Sequence, residues 1–300
     1  MFISLLHDKY KAGEKVDIKQ PQDFFLSPAH AFCLFMLDNQ QMADVHGHDF
    51  DELVIVRSGS GFHIINDQVE LVCPGDFFFV SANDIHYYEA TNNLSLINLL
   101  LHKQRHFRFI QNIDELLGNV RAKAIPDSRG IFVLGEGELE KIVLLTEKVS
   151  DRRDDDFDDI YFSATEAIIL EIISVLYHCV TRKGERNRVD ESVRQKMFNY
   201  VRKNYTQNIN WDNLCEDSRM SKRTMFRFFK QMTGTTPEQF QHIYRLLKAQ
   251  ELLRITERPI KDIALACGFI NASRLTESYK KRFLHTPSQE RHLSHSITNQ

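Results

Sequence analysis

The sequence predicts an α+β chain of two domains: an N-terminal antiparallel β-barrel or sandwich extended by helices, and a C-terminal all-α domain. Three observations carry this. Between Phe32 and His102, β-rich runs alternate with turn residues about every 8–12 positions. Past about residue 135 the apolar spacing becomes helical. The charge also divides, with 17 Lys and Arg against 30 Asp and Glu in residues 1–185, and 21 against 11 in residues 186–300.

The strand region reads in order as Leu53–Val56, Phe62–Ile65, Val69–Val72 and Phe77–Val80. Between these runs stand Ser58-Gly59-Ser60-Gly61, Asn66-Asp67 and Pro74-Gly75-Asp76, all rich in turn formers. The Ser-Gly tetrapeptide is expected to be a hairpin turn and not a phosphate cradle. Helices are expected near 138–149, from Leu139, Ile142, Val143 and Leu145, and near 160–180. The second is apolar nearly all round (Ile168, Ile169, Leu170, Ile172, Ile173, Val175, Leu176), so it needs burial on more than one side, as a helical pair or dimer partner would give. Asp151 to Asp159 is a charged connection. Residues 182–190, polar and without periodic apolar positions, are expected to link the domains.

From Glu191 the chain is helical and contains a repeat. Met225-x-Arg227-x-Phe229-Lys230, ending at Thr236-Pro237, recurs fifty residues later as Leu275-x-Glu277-x-Tyr279-Lys280, ending at Thr286-Pro287. Ser221 and Asn271 stand four residues before Met225 and Leu275, where a side-chain oxygen caps a helix. A short helix precedes each cap, Trp211 to Glu216 and Ile260 to Cys267, the second closed by Gly268. Each copy is thus a helix-turn-helix. Thr236, Pro237 and Gln239 form a capping box that opens a connecting helix to about Thr256. Some 19 residues span about 28 Å, close to the roughly 34 Å turn of B-DNA, so two recognition helices could enter successive major grooves.

Composition excludes several classes. A chain of 300 residues with 42% hydrophobic and 26% charged residues is not disordered and can bury two cores. The apolar stretch Ala167 to Val180 holds Glu171 and is shorter than the ~20 residues of a membrane span. Met1 to Leu6 lacks a signal-peptide pattern, and five scattered cysteines suggest neither a disulfide framework nor a cysteine zinc site, so a cytoplasmic chain is expected. The formal charge of −3 conceals −13 in residues 1–185 and +10 in residues 186–300, which points to a polyanionic partner for the basic part. Nucleophile-elbow, P-loop and dinucleotide fingerprints are missing from the sequence, so no enzymatic activity is expected.

The C-terminal hundred residues resemble the AraC family of bacterial transcription regulators. Leu214-Cys215, Ser221, Met225, Arg227, Phe229-Lys230, Gly234, Thr236-Pro237, Arg245-Leu246, Ala249, Leu252-Leu253, Ile263-Ala264, Gly268-Phe269, Ser273, Tyr279-Lys280 and Thr286-Pro287 carry the likeness. The stretch His46 to Val56, with Pro74-Gly75-Asp76 and His86, looks like that family's cupin-type sensor domain, in detail most similar to L-rhamnose-responsive activators. Two departures stand in the second copy, Glu277 where the family usually has Arg and Leu284 where it often has Gly.

The resemblance implies a cupin-like sensing and dimerisation domain over 1–181, a linker over 182–190, a DNA-binding domain over 191–291 and a tail over 292–300. It implies double-stranded DNA, a small sugar (L-rhamnose the best guess), RNA polymerase and a second copy of the chain as partners, without cofactor or membrane. In the first unit Lys222, Arg223, Thr224, Phe226 and Arg227 are the candidate DNA contacts, and in the second Ser273, Arg274, Thr276 and Glu277. Arginine can bind guanine in bidentate fashion, phenylalanine can touch a thymine methyl, and glutamate can accept from cytosine. Lys222 suits a phosphate. For the sensor, His46, His48, Glu52, His86 and Tyr88 are the candidate ligand contacts. His46-x-His48-x-x-x-Glu52 with His86 also matches the metal set of cupin enzymes, so a metal-dependent cupin enzyme stays as the alternative, beside a regulator of another small molecule. His63 is expected to fill core.

Overall fold

A computed structural model describes residues 16–40, 45–122, 132–150, 157–181 and 193–298. The linker expected at 182–190 lies outside the described residues. Eight strands among those described form one sheet: β1 (Asp17–Lys19), β2 (Phe32–Gln40), β3 (His46–His48), β4 (Asp51–Ile65), β5 (Gln68–Val72), β6 (Asp76–Val80), β7 (His86–Leu101) and β8 (Phe132–Val133). The long strands β4 and β7 pair antiparallel from Asp51 opposite Leu101 to Ile65 opposite His86. β6 lies against the first half of β4 and β5 against the second. β2 lies against the last part of β7, and β3 meets its first residue.

The Ser58–Gly61 hairpin turn is overturned: all four residues lie inside β4. Three register shifts between Val56 and Phe62 bulge the strand there. Gly59 takes φ +74°, and a Cβ on it would stand 2.2 Å from the Asn93 carbonyl oxygen. Ala90 and Asn93 of β7 bend in step, both at φ 48°. Bulges and tight turns ask for the same residue types, so composition alone does not separate them. The true hairpin falls at Asn66-Asp67, φ 46° and 63°, the double left-handed geometry of a type I′ turn.

Among the described residues, three helices come after β7: α1 (Ile113–Ala122), which the sequence pattern did not predict and which precedes β8, then α2 (Glu136–Ser150) and α3 (Asp159–Thr181). α3 has 23 residues and is long and apolar enough to cross a membrane, with 44% of its most apolar window buried inside the protein. Phe162, Ile169, Ile172 and Leu176 pack with Phe32, Leu53, Ile55 and Phe77 of the sheet. The alternate residues Val54 and Val56 face Val72, Phe78, Val80, Leu94 and Leu96 instead. Both faces of β4 are therefore covered, which is why its apolar run is unbroken.

The C-terminal part comprises α4 (Val193–Asn204), α5 (Trp211–Ser218), α6 (Lys222–Thr233), α7 (Pro237–Ile255), α8 (Ile260–Ala266), α9 (Ala272–Phe283) and α10 (Pro287–Thr298). The expected caps form: the Ser221, Thr236 and Asn271 side chains accept from Thr224, Gln239 and Arg274 amides. Gly268 takes φ +81° against the Thr206 carbonyl, where a Cβ would stand 2.2 Å from oxygen. Leu284 adopts at φ 65° the left-handed cap that Gly234 makes in the first copy. Of the tail expected at 292–300, residues 292–298 continue α10.

Barrel and helices share a core. Phe62, Ile64, Val69 and Leu71 join Phe198, Phe229, Phe240 and Leu247 in one cluster. Phe62 stacks on Phe240 at 5.1 Å and is fully buried, worth about 1.5–3 kcal/mol. Around this contact, acids from the barrel meet bases from the helices. Asp67 pairs with Arg254 at 2.6 Å, Glu70 with Lys248 at 3.9 Å, Glu89 with Arg282 at 2.5 Å, and Asp76 with Arg202. Ser60 Oγ and Asn92 Nδ2 donate to the Met232 carbonyl at the end of α6, at 2.9 and 3.0 Å.

Candidate ligand pocket and nucleic-acid interface

β3, β4 and β7 bring the five candidate ligand residues together. His46, His48, Glu52, His86 and Tyr88 all line one cavity of about 190 Å³. That is smaller than the roughly 300–1,000 Å³ of drug-sized sites, so the fitting ligand is small. Pairing explains the convergence: His46 of β3 lies opposite His86 of β7, and Glu52 lies on β4 beside β7. Phe24, Phe35 and Phe50 supply aromatic wall, with Phe50 stacked on His48 at 4.5 Å.

Polar partners fix these side chains. His48 Nδ1 stands 2.6 Å from the Phe50 carbonyl oxygen, which only accepts, so Nδ1 carries the proton. His63 Nε2 and His86 Nδ1 share a hydrogen bond of 3.0 Å. Burial pushes His63 down to about 3 and holds His86 well below the usual histidine range. His63 thus stays neutral inside the barrel, stacked between Phe78 and Tyr88. For His48, burial opposes the cation, but Glu52 and the Phe50 carbonyl outweigh it and raise the pKa.

Sequence reasoning missed Asn98. Its Nδ2 donates to Glu52 Oε1 at 2.7 Å, and it lines the same cavity. The signal was a single amide within the apolar run Leu96 to Leu101. Lys19 also lines the cavity.

On the helical part, α5–α6 and α8–α9 form two helix-turn-helix units joined by the 19-residue α7. Lys222, Arg223 and Arg227 are exposed on α6, and Ser273, Arg274 and Glu277 on α9. Arg274 and Glu277 pair at 3.0 Å, both about 70% exposed, so the pair is weak and can open to a better partner. Three candidates are engaged elsewhere. Phe226 is half-buried edge-on to Trp211 at 5.8 Å, Thr224 Oγ1 bonds Ser221 Oγ at 2.8 Å, and Thr276 Oγ1 donates to the Ala272 carbonyl. In this structure, then, Phe226 packs, Thr224 shares the Ser221 cap and Thr276 bonds back to its own helix.

A small-molecule pocket built on a barrel and a paired helix-turn-helix define a ligand-binding, DNA-binding regulator. Residues 31–134 match the model of the AraC-like ligand binding domain, and residues 214–292 that of a helix-turn-helix domain. The chain is 31% identical over 271 residues to the transcriptional activator RhaS of Mannheimia succiniciproducens, covering 90% of this chain and 97% of that protein. It is 30% identical over 280 residues to RhaS of Pectobacterium atrosepticum, covering 91% and 96%. The chain belongs to the AraC family of transcription regulators. Among solved structures, ToxT of Vibrio cholerae matches at 13% identity over 88% of this chain and 98% of that one, with a TM-score of 0.31.

Proposed function

We propose that this chain is a sugar-responsive transcription activator that works in the cytoplasm as a homodimer, with L-rhamnose as ligand and no enzymatic activity. The observation that carries the reading is the convergence of His46, His48, Glu52, His86 and Tyr88 on one small cavity in a chain whose basic helices present Arg223 and Arg227 outward. Imidazoles, a carboxylate and an amide match sugar hydroxyls, and the phenylalanines match the ring's C–H faces. The likeness to RhaS over nearly its whole length supports rhamnose in particular.

Both recognition helices then read successive major grooves, with Arg223 and Arg227 on bases and Lys222 on phosphate. Leu144 on α2 and Leu170 and Tyr177 on α3, exposed at 55%, 41% and 37%, form the dimer surface. RNA polymerase is the further partner that activation requires. Sugar acts through its different affinity for two arrangements of the barrel–helix contact. Thermal-shift titration with L-rhamnose, other deoxy sugars and pentoses, followed by binding to DNA selected from a random pool, tests this. A rise in melting temperature with L-rhamnose and sugar-dependent DNA affinity are expected. Indifference to every sugar overturns the ligand assignment.

A further inference from the structure

Among the described residues, two imidazole nitrogens at the floor of the pocket have no hydrogen-bond partner. They are His48 Nε2 and His86 Nε2, both buried. Each faces Glu52 Oε2, at 3.6 and 3.9 Å, beyond hydrogen-bond length. Buried polar atoms are nearly always satisfied, so two orphans beside one carboxylate ask for a common partner.

The hydrogen bonds behind these atoms say what kind of partner. Because His48 gives its Nδ1 proton to Phe50, neutral His48 turns a lone pair toward Glu52. His86 does the same when its Nδ1 donates to His63. Glu52 Oε1 is occupied by Asn98, which leaves Oε2 facing the imidazoles. Three acceptors then converge with ligand atoms within 4.8 Å of one another. With both rings neutral, a water molecule has only two protons for three acceptors, whereas a metal cation can serve all three. Atoms each about 2.1 Å from one metal ion stand about 3.0–3.6 Å apart, so a small side-chain adjustment suffices. Outer partners that hold each imidazole in its ligating tautomer are the usual support of such a site.

We propose that His48 Nε2, the Glu52 carboxylate and His86 Nε2 bind one divalent first-row transition metal ion of the Zn(II), Fe(II) or Mn(II) class. Two imidazoles and one carboxylate leave coordination positions open toward the cavity, where two neighbouring oxygens of a small ligand can enter. Only that last clause rests on the sugar reading; the ion's site stands on the three side chains.

The test uses the full chain, stripped with EDTA and titrated with Co(II) and Zn(II). Calorimetry follows both ions, and visible absorption follows cobalt. One equivalent per chain, cobalt d–d bands and a zinc-dependent rise in melting temperature are expected. Glu52→Gln and His48→Gln are expected to weaken binding at least about 100-fold, while His106→Gln, at an exposed position, leaves it unchanged. Far-ultraviolet dichroism checks that the variants fold, and the wild-type titration decides stoichiometry even where a variant does not. Absence of a stoichiometric ion, or equal affinity in wild type and a folded Glu52→Gln chain, overturns the inference. If the stripped chain takes no ion yet responds to L-rhamnose, the inference falls and the sugar reading stands. An ion bound without any sugar response supports the inference and removes the sugar.

Discussion

Arg223 and Arg227 lie one turn apart on α6 and are exposed, whereas Phe226 between them is half-buried against Trp211. The proposed base reading at this unit therefore rests on the arginines. Arg223→Ala is expected to cost about 1–3 kcal/mol of discrimination between preferred and random DNA while weak non-specific binding persists. Gel-shift titrations on both DNAs check this; equal loss on both would make Arg223 a phosphate contact. Leu284 is the residue whose chemistry disagrees most with its conformation, at φ 65° and 67% exposed. Leu284→Gly removes the backbone strain and little burial, so a gain of about 1 kcal/mol in unfolding free energy is expected by denaturant titration.

The elements were legible where their cause is local. Caps at Ser221, Thr236 and Asn271, the Gly268 stop and the spans of α2 and α3 follow from neighbouring residues, and the structure places them within two or three positions. β4 was misread because Gly59 satisfies a turn and a bulge equally, and only Asn93 on the opposite strand decides between them. Gly59→Ala forces a side chain onto that carbonyl; a loss of at least about 2 kcal/mol in barrel stability is expected by thermal unfolding. Asn98 escaped notice for a similar reason, since its role comes from Glu52, 46 residues away. Leu170 and Tyr177 lie seven residues apart on one stripe of α3, so Leu170→Glu tests the proposed dimer surface. Sedimentation is expected to show a monomer with unchanged helix content.

Across the whole molecule, the charge division reappears as pairs between barrel acids and helix bases. The sequence showed the asymmetry but not the partners, because pairs such as Glu89 and Arg282 are 193 residues apart. Arg282 is 17% exposed and engaged by Glu89, near the end of the second recognition helix. Glu89→Gln removes the charge that holds that guanidinium, so that a phosphate can compete for it. DNA binding is expected to become steeper in salt by about one unit of the log–log slope, read from affinities across a salt series.

Phe62 and its neighbours Ile64, Val69 and Leu71 complete a core whose other half belongs to the helices. Severing the polypeptide between the two parts would leave each half with a bare greasy patch, prone to stick to its own kind. Dissection into separate pieces is thus a poor route to working halves, and co-production of both fragments, allowed to reunite through that seam, is the better one.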